Sequence, residues 1–172
     1  MPTTPPPDPT EHRAAVADFV ARARALGPEA WDRPLGEARW TPAQTAEHLR
    51  LTYAVLLAEL RGGRGLQVRT SWWLRTVLRL VFLRHILRDG RIPPGARAPR
   101  ELRPGAGPFE RDATLAELEA LAARFEEALA ERAGRDAGLT HHVFGRIGRD
   151  DGLRFCAAHV RHHAGQLPHP NP

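Results

Sequence analysis

The chain contains no lysine, and arginine supplies all 25 of its basic residues. Against 20 acidic residues this gives a formal net charge of +5 and a pI near 11. Such a charge raises nucleic acid as a partner, but nucleic-acid interfaces gather their cations on one face or stripe. Here the arginines are spread along the sequence from Arg13 to Arg161 and do not form one cluster. We therefore expect no nucleic-acid partner, and we attribute the arginine bias to genomic base composition.

Cysteine occurs once, at Cys156, so the chain has no internal disulfide. The N-terminus has no basic start followed by an apolar run and a small-residue cleavage site, the pattern of a secretory leader. Both observations favour a reducing compartment, because disulfides accumulate in secreted proteins. We expect the protein to be cytoplasmic.

Long uninterrupted apolar runs are also missing. The most apolar stretch, residues 71–87, is broken by Arg75, Arg79 and Arg84, whereas a membrane-spanning helix needs about 20 mostly uncharged residues. On a helical wheel its apolar stripe changes face near Phe82, which argues against an interfacial helix. We expect a bent or broken helix packed against several neighbours, and no stable membrane association.

Alternating strand patterns of useful length are absent, whereas apolar residues recur at steps of three and four, which predicts an all-α fold. Thr41-Pro42-Ala43-Gln44 and Thr114-Leu115-Ala116-Glu117 read as capping boxes that begin two of the helices. The predicted helices occupy residues 10–26, 42–60, 70–88, 114–133 and 149–167.

The length of 172 residues fits one ordinary domain. We expect a single helical domain over residues 10–167, between a disordered tail at 1–9 and a C-terminal tail at 168–172. Five prolines in the first nine residues prevent a helix there, and five prolines with three glycines make 91–108 a proline-rich loop.

Two of the nine histidines have a spacing typical of metal ligands. His159 and His163 stand at i and i+4, so their rings lie about 6 Å apart on one side of a helix and can bind one ion. The best candidate for a third ligand is His48, at the edge of the apolar arc of its own helix. The remaining alternative is a buried polar pair or two surface histidines. His12, His85 and His169 have no partner at a useful spacing, and we expect no metal role for them.

Other residues near the pair have open roles. Cys156, one turn before His159, is either a fourth ligand or a small core residue, and the core role is favoured. His162 is expected in solvent or hydrogen-bonded behind the ligands, and His142, next to His141, could reach the mouth of a pocket. Three imidazoles leave a coordination position open, as in catalytic zinc sites. No catalytic residue is identified.

Two segments resemble the motifs of a known family. Residues 40–49, WTPAQTAEHL, resemble the first motif of the DinB-like superfamily, and residues 159–167, HVRHHAGQL, resemble its last. The order of the helices fits as well, so the resemblance covers residues 10–167. It implies a four-helix bundle with an additional helix, a metal site at His48, His159 and His163, often zinc or nickel, and frequent homodimers. Residues 142–145 and the proline-rich loop resemble a subgroup of unassigned activity.

Some members of this superfamily join low-molecular-weight thiols such as bacillithiol, mycothiol or glutathione to electrophiles. The resemblance therefore implies a metal-dependent enzyme acting on a small molecule, most plausibly a thiol S-transferase, with a hydrolase as another possibility. The alternative is a non-catalytic metal-binding helical module involved in stress response or protein interaction. An open coordination position favours the enzyme, and four protein ligands favour the module.

Overall fold

The computed structural model describes residues 8–68, 70–93, 98–132 and 138–168. Most of both predicted tails, part of the proline-rich loop and His169 therefore lie outside the described residues. The fold is mostly helical. In chain order the helices are α1 (Thr10–Arg24), α2 (Pro28–Trp31), α3 (Pro42–Leu60), α4 (Trp72–Leu78), α5 (Arg84–Asp89), α6 (Arg111–Glu131) and α7 (Arg149–Ala164). A π-helical segment, Arg79–Leu83, joins α4 to α5, and a 3-10 turn, Arg100–Leu102, precedes α6.

The start of α3 follows the predicted capping box. The Thr41 hydroxyl accepts a hydrogen bond from the backbone N–H of Gln44, and the Gln44 side chain accepts one from the backbone N–H of Thr41. Pro42 occupies the first helical position, where its missing N–H costs nothing. This cap fixes the register of the helix that carries His48.

The start of α6 differs from the prediction. The Glu110 side chain accepts hydrogen bonds from the backbone N–H groups of Asp112 and Ala113, so the helix begins at Arg111 and Thr114 lies buried in its first turn. A carboxylate at a helix N-terminus also interacts favourably with the helix dipole. Glu110 therefore begins the helix a turn before the second capping box.

A short β-hairpin corrects the all-α prediction. Strands β1 (Gly138–His141) and β2 (Gly145–Gly148) pair antiparallel, with Leu139 opposite Ile147 and both side chains buried. Four-residue strands are too short to give a readable alternation, which is why the sequence pattern missed them. The hairpin is fastened to α3, because Glu59 accepts hydrogen bonds from the backbone N–H and the hydroxyl of Thr140.

The core runs from α1 to Leu167, just after α7. Helix α3 packs chiefly on α6, and α7 chiefly on α1, while α1 also contacts α6. Phe19, Tyr53 and Phe125 are among its largest fully buried side chains. The parts of α3 and α7 that carry His48, His159 and His163 are thereby held on a packed scaffold.

The apolar segment 71–87 is helical and is interrupted by the π-helical segment near Phe82, where its apolar stripe changes face. Beyond that point Leu83 and Ile86 are buried, but α4 contains no buried residue. The expected packing against several neighbours is therefore only partial in α4, where Leu78 is partly buried against the core. Within the described residues, no helix is long and apolar enough to cross a membrane.

Candidate metal centre

His48 projects from the middle of α3 and is almost fully buried. Its Nδ1 lies 2.8 Å from the carbonyl oxygen of Leu102, in the 3-10 turn. A carbonyl can only accept, so Nδ1 carries the proton and Nε2 presents a lone pair. The ring of Trp40 packs against the same imidazole at 4.9 Å between ring centroids. These contacts fix both the tautomer and the orientation of His48.

His163, on α7, is fixed in a similar way. Its Nδ1 donates to Oε1 of Gln166 over 2.9 Å, which again leaves a lone pair on Nε2. The amide nitrogen of Gln166 donates in turn to Nε2 of His162, also over 2.9 Å. His162 therefore supports His163 through Gln166 and does not face the other two rings. Partners of this kind orient metal-ligating histidines in known sites.

The three imidazoles converge on one point. Nε2 of His159 lies 3.3 Å from Nε2 of His48 and 3.1 Å from Nε2 of His163. One ligand atom from each of the three residues lies within 4.8 Å of the others. Nε2 of His48 and Nε2 of His163 both present lone pairs to Nε2 of His159. A single proton on Nε2 of His159 can be donated to one of them, and the other lone pair then has no donor within this group. A cation at the centre removes this conflict.

Two of the three nitrogen–nitrogen separations fit a tetrahedral ion. Nitrogen ligands about 2.0–2.1 Å from zinc, at a tetrahedral angle, stand roughly 3.3–3.4 Å apart. The observed separations of 3.1 and 3.3 Å are close to that value. The residues present could therefore hold one metal ion, although their role as ligands remains a prediction.

Burial keeps these histidines neutral. It lowers the pKa of His48, and it lowers the pKa of His163 to about 3, with a further contribution from the neighbouring His48. Burial, followed by the charges of His163 and His48, lowers the pKa of His159 well below its usual value. A neutral imidazole is the form that donates its lone pair to a metal.

Cys156 does not belong to the histidine group. Its thiol is buried, and burial raises the pKa to about 12, so it stays protonated near neutral pH. A thiol in that state is a poor nucleophile. Among the described residues, the group of possible ligands at this point contains the three histidines alone.

The hairpin contributes an aromatic wall beside His159. Nδ1 of His141 accepts hydrogen bonds from the backbone N–H groups of Val143 and Phe144, and its ring stacks on Phe144. Phe155 lies edge-on to His141 and stacks over His159. His142, half-buried, packs its ring against His141 at 4.5 Å. His141 is thereby connected to the ring of His159 through Phe155, and the approach of His142 to the mouth of a pocket stays a prediction.

Two of the histidines for which no metal role was expected have other partners in the structure. His12 is fully buried, and its Nδ1 and Nε2 each lie 2.6 Å from an oxygen, of Glu126 and Tyr53 respectively. His85 is exposed and pairs with Asp89, four residues on, at 2.9 Å. The contacts of His12 span 41 and 114 residues of sequence, so local spacing gives no signal for them. Neither histidine belongs to the candidate metal centre.

The buried histidines predict that the metal-free protein loses stability in mild acid. His163 has a folded-state pKa of about 3, below its unfolded value near 6.5, so the unfolded chain takes up the proton first. The free energy of unfolding should then fall by about 2 kcal/mol per such histidine between pH 7 and pH 5. Urea denaturation with a chelator present measures this. A flat profile between these pH values would contradict the burial argument.

Comparison with known proteins yields one match. A family model described as the DinB superfamily matches residues 11–167, which is most of the chain. The match includes all three clustered histidines, as well as Leu102 and Gln166 behind them. No curated protein and no solved structure matches the chain.

Proposed function

The chain belongs to the DinB superfamily, and from that premise we propose that it is a metal-dependent enzyme acting on a small molecule. We assign one divalent cation, zinc or nickel, to His48, His159 and His163. The long helices α1, α3, α6 and α7 would form the four-helix bundle, with α4 and α5 as the addition to it.

One observation carries this proposal. Two imidazoles present fixed lone pairs to a third, and the group lacks a fourth protein ligand among the described residues. Catalytic metal sites have three protein ligands and an open position, whereas structural sites close the shell with four. The buried, protonated Cys156 and the outward His162 support the open form, and this favours an enzyme over a purely structural module.

We propose that the reaction joins a low-molecular-weight thiol to an electrophile, through a new bond from the thiol sulfur to carbon. A divalent cation in this position would lower the pKa of a thiol that it binds, from about 8.5, so that thiolate is available near neutral pH. Leu102 and Gln166 accept hydrogen bonds from His48 and His163 and so hold these two rings in orientation. Trp40 and Phe155 flank the site with apolar surface, which restricts water beside the reacting sulfur. The sulfur–carbon bond forms as the leaving group departs, and the thiol proton passes to solvent.

A rate assay tests the transferase proposal. Metal-loaded protein is incubated with bacillithiol, mycothiol, glutathione or cysteine, and with monochlorobimane, from which chloride leaves as the thioether forms. At least one thiol should react about tenfold or more above the His159→Ala background, and chelation should remove the excess. The rate should also follow metal occupancy in a titration.

The controls separate chemistry from folding. His162→Ala should retain the metal and most of the rate, because His162 supports His163 only through Gln166. If no thiol reacts above the His159→Ala background while the protein retains one ion, hydrolysis or a non-catalytic metal-binding module replaces the transferase proposal.

A further inference from the structure

Helix α4 and the π-helical segment present an apolar surface to solvent. Among the described residues, every exposed large hydrophobic side chain lies between positions 68 and 82, and we call these side chains the outer face. They are Val68, Trp72, Trp73, Val77, Leu80, Val81 and Phe82. Trp72 is 74% exposed and Trp73 58%. Elsewhere in the described chain, large apolar side chains are at least partly covered.

The outer face is large for a protein that works alone in water. With aromatic side chains of about 200–250 Å² each, the exposed parts of Trp72, Trp73 and Phe82 present on the order of 400 Å². The exposed parts of the aliphatic side chains add to this area, so the exposed apolar area of the segment is of the order of the largest patches that single proteins expose. Such a surface marks an interaction site.

Arg75 of α4 and Arg79, the first residue of the π-helical segment, both contact the hairpin. Arg79 donates hydrogen bonds to the carbonyl oxygens of Phe144 and Arg146, at the turn and in β2 of the hairpin. Arg75, half-buried, lies against Gly145, where an added Cβ would come within 2.7 Å of its Cδ. A surface helix ordinarily turns its charges outward and its apolar stripe inward. Here the hairpin carbonyls hold the charged side inward, so the apolar side is presented outward.

Positive charge is concentrated in the same part of the chain. Residues 61–88 contain seven arginines and no acidic residue, so the rest of the chain carries 18 arginines against 20 acidic residues. Although arginines occur throughout the sequence, acidic residues offset them outside residues 61–88, so the net positive charge lies in this segment. Arg84, just beyond the outer face, is exposed, whereas Arg88 pairs with the adjacent Asp89. An anionic surface with an apolar interior complements both properties.

We propose that the outer face docks on an anionic lipid bilayer. The tryptophan and aliphatic side chains enter the boundary between headgroups and acyl chains, and arginines such as Arg84 contact the headgroups. Face-to-face pairing of two copies would oppose two segments of like charge, which is unfavourable. A nucleic acid would match the charge but would leave the aliphatic side chains uncovered. The helix would lie on the membrane without crossing it. This replaces the sequence-based expectation of no stable membrane association, because the apolar side chains of the outer face are exposed and not packed on neighbours.

Vesicle flotation with the full chain tests the proposal. The protein should float with vesicles containing about a third phosphatidylglycerol, and about tenfold less with phosphatidylcholine alone. Added salt should weaken the binding. The double variant Trp72→Ser/Trp73→Ser should lose flotation with both vesicle types, and circular dichroism should show it folded, since both residues are exposed.

A matched pair of charge variants separates local from overall charge. Arg84→Glu should reduce flotation with anionic vesicles about tenfold, while Arg124→Glu, equally exposed but on α6, should leave it near wild type. Equal loss in both variants, or equal binding to neutral and anionic vesicles, overturns the proposal. The proposal is also overturned if the wild-type protein does not bind vesicles but forms dimers that are lost in the tryptophan variant. Binding to single-stranded RNA in place of vesicles overturns it as well.

Discussion

His163→Ala is expected to abolish stoichiometric metal binding. Wild-type protein purified with zinc or nickel should carry close to one ion, and the variant should retain less than about a tenth of that, because two imidazoles bind a divalent ion far more weakly than three. His48→Ala and His159→Ala should give the same result. Elemental analysis after dialysis against a weak chelator measures the content.

The neighbours of His163 supply graded controls. His162→Ala should leave about one ion per chain, and Gln166→Ala should weaken metal affinity by roughly 10–100-fold, because it frees the ring of His163 without removing a ligand. Metal retained by His163→Ala but lost in His162→Ala would mean that α7 presents the other ring to the ion.

His12→Ala is expected to destabilise the fold by about 3–5 kcal/mol, since breaking a buried charged or hydrogen-bonded pair leaves its partners uncompensated. The fully buried imidazole joins Glu126 of α6 to Tyr53 of α3, and Arg13 pairs with the second oxygen of the same carboxylate. Its removal leaves the Tyr53 hydroxyl without that partner and opens a cavity between three helices. Urea denaturation of the metal-free variant measures the loss.

Two comparisons test the specificity of this effect. His85→Ala removes an exposed pair with Asp89 and should change stability by less than about 0.5 kcal/mol. His12→Ala, where folded, should still bind about one ion per chain, because His12 is not among the clustered histidines. A loss below about 1 kcal/mol for His12→Ala would show that the buried network contributes little.

The sequence identified what depends on local spacing. His159 and His163 share a helix face because they are four residues apart, and the capping box at Thr41 begins α3 where it was expected. The sequence also indicated that His48 lies near them, because its position at the edge of the apolar arc of α3 directs it toward the core. Each of these inferences needs only helical periodicity and the burial of an apolar stripe.

The missed features depend on tertiary contacts or on short elements. Leu102 approaches His48 from a loop 54 residues away, and no spacing rule indicates that its carbonyl is the partner. Gln166 lies three residues after His163 and could have been recognised as a partner for its ring. The outward turn of α4 follows from Arg79 bonding to hairpin carbonyls, and the hairpin itself was too short to detect.

The candidate centre joins two helices that pack mainly on others. His48 and His159 are 111 residues apart in sequence, on α3, which packs on α6, and on α7, which packs on α1. An ion held between them would act as a cross-link that closes most of the chain into a loop, restricting the unfolded state as a disulfide does. The single cysteine leaves the chain without an internal disulfide, so a bound ion would supply the kind of cross-link that a disulfide provides in other proteins.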